Sequence, residues 1–215
     1  MEKNTYYGEA YFKWQGAIGE FGGWANVDKF KAYLSPEKNV VDFGSGGGFL
    51  LANINCKDKI GIEINEKARE RAKGLGIVSV ETPEEIPGGY ADLIISNHAL
   101  EHVFRPLDEI RKLKRILKPE GMIVLVIPCE SIRYAYKPND INYHLYSWSP
   151  MSLGNLFNEA GFDVIESKAY RHRWPPFYTS IAKIFGRSVF NLVCRMYARL
   201  WTTSYQVRVV ARKKA

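Results

Sequence analysis

Two features of the chain gather residue types that bind and transform small molecules: a glycine-rich loop followed by an acid, and histidines that all come after it. The loop is Val41-Asp42-Phe43-Gly44-Ser45-Gly46-Gly47-Gly48-Phe49. Glycines after an apolar run let the backbone turn tightly and approach a ligand where a Cβ would collide. A dinucleotide fingerprint needs a third glycine, but Phe49 or Leu51 stands there, and no G-x-x-x-x-G-K-S/T run occurs. The nicotinamide or flavin reading is weakened and a P-loop is excluded. Glu63 closes the apolar stretch Ile60-Gly61-Ile62, 19 residues after Gly44. An acid there can accept both ribose hydroxyls of a nucleoside through charge-assisted bonds. Capping of the helix that follows is the plainer alternative. His98, His102, His144 and His172 supply imidazoles that titrate near neutrality. His102, in Leu100-Glu101-His102-Val103, reads as a general base or as a buried ring that organises a loop. His144, in the polar aromatic segment Asn142-Tyr143-His144-Leu145-Tyr146, is the favoured acceptor contact or base, against simple packing.

The elements that must position these groups alternate. Apolar runs at Asn39–Phe43, Lys59–Ile64, Ile77–Val80, Ala91–Ser96 and Met122–Ile127 read as strands. Helical patterns lie from Gly46, over Glu66–Leu75 and over Pro106–Leu117, the last with Pro in its first turn. A polar loop spans 130–149, a helix follows near Ser152–Ala160, and strands are expected at Phe162–Ile165 and Tyr205–Arg212. This alternation predicts a doubly wound, Rossmann-like α/β fold: seven strands, mostly parallel, with helices on both faces. Ligands of such sheets bind beyond the carboxyl ends of the strands, beside strand one. Residues 1–38, rich in aromatics (Tyr6, Tyr7, Tyr11, Phe12, Trp14), are expected to form a helical lid on a domain spanning 39–215. Residues 171–203 form a basic helical insertion, with Lys183, Arg187, Arg195 and Arg199 on one stripe.

With 215 residues, 46% hydrophobic and 25% charged, the composition is that of a globular protein and excludes disorder, collagen and coiled coil. The net charge of +7 is unevenly placed. Residues 1–162 carry 19 basic and 21 acidic groups, whereas 163–215 carry 11 basic groups against Asp163 and Glu166 alone. Such a basic end suits an anionic partner, and a solvated helix face explains the same pattern. No stretch approaches the roughly 20 apolar residues of a membrane span. Met1–Thr5 leads into no apolar secretory core. Cys56, Cys129 and Cys194 are too scattered for a disulfide framework or a zinc site. A cytoplasmic protein with no metal is expected.

Four stretches in order carry a family resemblance: VVDFGSGGGFLL, GIEIN, ADLIISNHALEHVFRPLDEIRKLKRILKPEGMIVLVIP and HLYSWSPMSLGNLFNEAGFDVIE. The chain resembles class I S-adenosylmethionine-dependent methyltransferases, especially those that modify small molecules. The resemblance implies S-adenosylmethionine as cofactor and S-adenosylhomocysteine as product. Asp42 would organise the glycine loop, and Gly44, Ser45 and Gly46 would lie against the methionine part. Glu63 would hold the ribose, and Asn97 and His98 would line the methyl region. Thr82, in Glu81-Thr82-Pro83-Glu84-Glu85-Ile86-Pro87, occupies the position where the family often places an acid on the adenine, a departure from its pattern.

In that chemistry the cofactor carries the leaving group, so the protein mainly aligns the reactants, worth about 7–11 kcal/mol. A hydroxyl acceptor must also lose a proton, for which a general base contributes roughly 10²–10⁴-fold. The implied acceptor is a small molecule or a glycan- or lipid-linked one, in keeping with the basic end, and methylation at oxygen is expected. For residues 171–203, packing on the chain's own sheet and peripheral contact with a membrane both fit, and nucleic acid ranks last. A non-catalytic nucleoside-binding module or partner subunit is the rival reading.

Overall fold

The computed structural model describes residues 9–138, 140–200 and 205–214. Tyr6 and Tyr7 of the expected lid lie outside these residues, as do the side chains of Tyr11, Phe12 and Trp14. Seven strands form one sheet: β1 (Asn39–Phe43), β2 (Asp58–Ile62), β3 (Val78–Val80), β4 (Ala91–Asn97), β5 (Leu117–Cys129), β6 (Phe162–Tyr170) and β7 (Tyr205–Lys213). Their order is β3-β2-β1-β4-β5-β7-β6. The first five are mutually parallel, and β7 runs antiparallel to both β5 and β6. The chain runs outward from β1 to β3, then returns to β4 on the other side of β1. The switch point therefore lies between the carboxyl ends of β1 and β4, where a crevice is expected.

Successive strand residues point to opposite faces, and both faces are buried. Val41, Ile94, Ile123 and Leu125 join one core with Ile110 and Leu113 of α4 (Pro106–Ile116) and Phe157 of α5 (Pro150–Glu159). Val40, Leu93, Ile95 and Val124 join the other. That second core includes Phe30 of α1 (Glu9–Phe30), Leu51 of α2 (Phe49–Ala52) and Ala72 of α3 (Glu66–Gly74). Local signals set the helix starts. The Asn65 side chain accepts the Ala68 N–H, and Ser149 Oγ accepts the Ser152 N–H.

Three sequence expectations shift. Strands β5 and β6 run beyond the apolar segments that announced them: β7 supplies partners along β6 and to Cys129 of β5, and β4 pairs with β5 from Leu117. The second half of β6 is an edge segment with little buried side chain, so its composition carries no hydrophobic pattern. In the insertion, α6 (Tyr178–Tyr197) is interrupted at Gly186, whose φ of 72° and ψ of 179° are not helical. The basic stripe therefore does not run continuously. Arg187 stacks over the Trp24 ring at 4.9 Å and Arg195 pairs with Asp28, so both turn toward α1, while Lys183 and Arg199 are exposed.

Candidate active site

The carboxyl ends of β1 and β4 open into a cavity of about 290 Å³. Its floor is the glycine loop. After β1 the Gly44 and Ser45 N–H groups both donate to the Ile62 carbonyl, at 2.9 and 3.0 Å, which folds the loop back over β2. Gly44 has a φ of 75°, and a Cβ on it would stand 2.3 Å from the Ala99 Cβ. The position therefore needs glycine both for its left-handed backbone and for its closeness to the turn after β4. The roof is α1, which contributes Ile18, Gly22 and Asn26. Gly23 lets the helix settle on α2, because a Cβ there would meet the Phe49 carbonyl oxygen at 2.4 Å.

Asp42, Gly44, Ser45, Gly46, Asn97 and His98, expected on the cofactor, all line this cavity, as do His102 and His144. Glu63 stands at the outer edge of the loop. Its Oε2 accepts the Gly46 N–H at 2.9 Å and its Oε1 accepts the Asn65 N–H at 2.8 Å. Each oxygen keeps a second lone pair, so the carboxylate holds the loop and can still receive hydroxyl donors. Burial pushes the Glu63 carboxyl up, opposed by those N–H bonds and by Arg69. Asp42 is buried beneath the loop, and burial, reinforced by Glu63, raises it well above the usual carboxylate range. Thr82 is not brought to the cavity. Its N–H donates to Glu85 Oε1 at the start of a short 3-10 turn. Its acidic neighbours are engaged elsewhere, Glu81 with Arg69 and Glu84 with Lys112.

The far wall gathers the histidines. His98 has a φ of 60°, a left-handed conformation that costs a non-glycine residue energy and is typical of functional turns. Its N–H donates to the Val126 carbonyl at 2.9 Å, which fixes it at the end of β4. His144 comes from the loop after β5, which the main chain ties to the turn after β4. The Glu101 carbonyl accepts the Leu145 and Tyr146 N–H groups at 2.9 and 3.3 Å. The His102 and His144 rings thereby meet edge to face, 5.0 Å apart. Burial pushes His98 down to about 3, assisted by the Lys29 ammonium, and pushes His102 down to about 4, so both rings are neutral at pH 7. Between them lies Glu101, fully buried, its carboxyl raised to about 8 by burial and by Glu130. His172 lies elsewhere, buried and bonded to Asn191 at 2.9 Å.

Sequence reasoning missed four participants. Lys29 of α1 is buried beside the site and donates to Asn97 Oδ1 at 2.7 Å and to Gln206 Oε1 at 2.9 Å. Trp174, from the insertion, and Asn142 line the cavity. Glu101 is the fourth. Its place between His98 and His102 in sequence was the available signal.

Comparisons with known proteins identify the family and the fold. A family model described as a methyltransferase domain matches residues 20–167. Among solved structures, a chain of the Haloferax volcanii complex between the Trm112 methyltransferase activator and a methyltransferase superposes with a TM-score of 0.70. It is 16% identical, with 96% of each chain covered. A Thermotoga maritima S-adenosylmethionine-dependent methyltransferase gives 0.67 at 20% identity, with 95% of each covered. The cyclase SpnF gives 0.62 at 18% identity, covering 88% of this chain and 80% of its own. No curated protein matches by sequence.

Proposed function

Since the chain belongs to the methyltransferase domain family, we propose that it binds S-adenosylmethionine on the Gly44–Gly48 loop and methylates an oxygen of a small, glycan-linked or lipid-linked acceptor. The observation that carries this reading is the conjunction at one crevice. The glycine loop and the Glu63 carboxylate are joined at the Gly46 N–H, and a wall of imidazoles faces them across the cavity. The same fold occurs in a cyclase, so the site, not the fold, must select the reaction.

The cofactor supplies an activated methyl group on a sulfonium. The chain supplies the rest. Asp42, Gly44, Ser45 and Gly46 shape the loop, Glu63 offers carboxylate oxygens to the ribose hydroxyls, and Asn97 and His98 line the methyl end. Helix α1 and Trp174 cover the crevice, which excludes water and serves as the lid expected of residues 1–38. Thr82, two residues after β3 and outside the cavity lining, holds the sequence position of the adenine contact. The acceptor hydroxyl then faces His102 and His144. Because His144 Nδ1 is bound to Glu130 at 2.8 Å, its Nε2 lone pair is turned into the wall, where it can take a proton or bind a cation.

The acceptor is anionic or presented at an anionic surface. Val189, Leu192 and Met196 are exposed apolar side chains at helical spacing after the break at Gly186, with Leu200 and Arg199 exposed in the short turn that follows and Phe185 and Lys183 exposed before the break. An apolar face flanked by cations suits an anionic lipid surface. Among the described residues no helix is long and apolar enough to cross a membrane, so any such contact is peripheral.

Calorimetric titration with S-adenosylhomocysteine tests the reading. Binding is expected, with a loss of roughly 10–100-fold in Glu63→Ala, the worth of hydrogen bonds to a charged group. No binding at millimolar ligand, or full affinity in the variant, refutes it. Binding without a methylated product across acceptor panels would support a non-catalytic module instead.

A further inference from the structure

Glu101 is 0% exposed, and neither carboxylate oxygen has a hydrogen-bond partner among the described residues. A carboxylate so placed is costly unless a proton or a cation meets it. Three imidazole nitrogens converge on one of its oxygens: His98 Nδ1 at 3.6 Å, His102 Nε2 at 3.9 Å and His144 Nε2 at 4.0 Å. These separations are beyond hydrogen bonding, so the groups do not satisfy one another. They do suit donors that share an ion, since two atoms each about 2.1 Å from a metal are at most about 4.2 Å apart. One ligand atom from each of Glu101, His102 and His144 can be chosen so that all lie within 4.8 Å of one another.

The His144 ring is also held from behind. The Glu130 carboxylate bonds His144 Nδ1 at 2.8 Å, which turns Nε2 toward Glu101. An imidazole backed by a carboxylate is the usual support of a metal-binding histidine.

We propose that Glu101, His102 and His144 form a divalent-metal site in the acceptor end of the cavity, with Glu130 positioning His144. Two imidazoles and one carboxylate select a first-row transition ion such as Mn²⁺, Co²⁺ or Zn²⁺ over Mg²⁺ or Ca²⁺. The cavity side of the site is lined by His98 and Asn142 and is open to an oxygen ligand. The role rests on the proposed function: an ion here lowers the pKa of an acceptor hydroxyl that reaches it, the proton leaving to water.

The test uses the full chain after chelator treatment, titrated with Mn²⁺ and Zn²⁺ by calorimetry, with metal content measured after gel filtration. One ion per chain is expected, together with a rise in the unfolding temperature on metal addition. Glu101→Gln and His144→Gln should each weaken binding at least tenfold and abolish that rise, and His102→Asn serves where either variant does not fold. Absence of binding at 100 µM ion (about 5.5 kcal/mol as an affinity limit), or unchanged affinity in the variants, overturns the site. S-adenosylhomocysteine binding measured on the same samples separates the two readings. Nucleoside binding without metal binding refutes the metal site alone, and metal binding without nucleoside binding refutes the methyltransferase reading alone.

Discussion

Glu130 Oε1 lies 2.8 Å from His144 Nδ1, while Nε2 of the same ring lies 4.0 Å from Glu101 Oε1. One imidazole thus spans two carboxylates, one half-exposed and one fully buried. The outer carboxylate fixes the tautomer and the ring orientation. The inner one defines where the lone pair points. The Glu130 bond lies within the loop after β5, and the main-chain bonds made by Leu145 and Tyr146 tie that loop to the turn after β4.

If Glu130 acts by orienting the ring, its removal will weaken the site without emptying it. Glu130→Gln can still pair with Nδ1 through its amide oxygen but loses the charge. Glu130→Ala loses both. Loss of an outer partner of this kind typically costs 10–100-fold in metal affinity. The expected order of Mn²⁺ affinity is wild type, Glu130→Gln, then Glu130→Ala, measured by calorimetry, with S-adenosylhomocysteine affinity equal in all three. An alanine variant as tight as wild type would show that the pairing is incidental.

What could be read from sequence was what is local. The run Val40–Gly48 holds both the buried strand and the turn that its glycines permit, and the apolar stretch ending at Glu63 places a carboxylate beside that turn. Glu101 was not legible in the same way. One acid between Leu100 and His102 resembles a surface helix start, and its burial depends on a loop more than forty positions further on that folds back over it. Lys29 likewise reads as an exposed base near a helix end. Only the packing of α1 across β4 and β7 buries its ammonium next to Asn97 and Gln206. The basic residues of 171–203 were visible as a group, but not the break at Gly186, the stacking of Arg187 on Trp24 or the pairing of the still exposed Arg195 with Asp28.

Gly44 and Gly186 offer a comparison of glycine roles. Both have left-handed φ, 75° and 72°, but a Cβ at Gly44 meets Ala99 at 2.3 Å and one at Gly186 meets nothing within 4 Å. Gly186→Ala should therefore cost only backbone strain, about 1–3 kcal/mol for a conformation that is essentially reserved to glycine. Gly44→Ala adds steric overlap of the kind that costs a further 1–3 kcal/mol and should displace the loop enough to abolish S-adenosylhomocysteine binding. Ala99→Gly in the same chain should restore part of the stability. Urea unfolding checks all three, and equal losses for the two single variants would contradict the steric argument.

The α6 face gives a membrane prediction that does not depend on the metal. Leu192 and Met196 are each 58% exposed and one turn apart. Each fully buried side chain of that size is worth about 1.5–3 kcal/mol. Replacing both by Glu removes the apolar contact and adds repulsion from an anionic headgroup layer. Sedimentation with phosphatidylglycerol vesicles should recover wild-type protein at low salt and little of Leu192→Glu/Met196→Glu. Phosphatidylcholine vesicles should recover little of either. Equal recovery of wild type and double variant would remove this face from consideration.

Lys29 makes stability depend on pH in a direction that identifies it. It is 4% exposed, and burial pushes its ammonium from 10.5 down to about 7, opposed chiefly by Glu101. In turn Lys29 helps depress His98 and His172. Above about pH 7 the native amine has lost its proton, but the unfolded amine keeps it up to about 10.5. The unfolded state then binds more protons, so this residue's contribution to stability rises with pH across that interval, at no more than about 1.4 kcal/mol per pH unit. Below pH 7 both states are protonated and the slope vanishes. Lys29→Met has no such titration and leaves Asn97 Oδ1 and Gln206 Oε1 without their shared donor, a loss of about 1–3 kcal/mol per unsatisfied group. Subtracting the variant's unfolding free energy from that of wild type cancels the titrating groups that do not sense Lys29, leaving its own titration and its coupling to Glu101, His98 and His172. The difference should be smallest near pH 6 and should grow steadily in favour of wild type up to pH 9. A flat difference over that interval would mean that the amine stays charged in the fold, with Glu101 as the counter-ion that keeps it so.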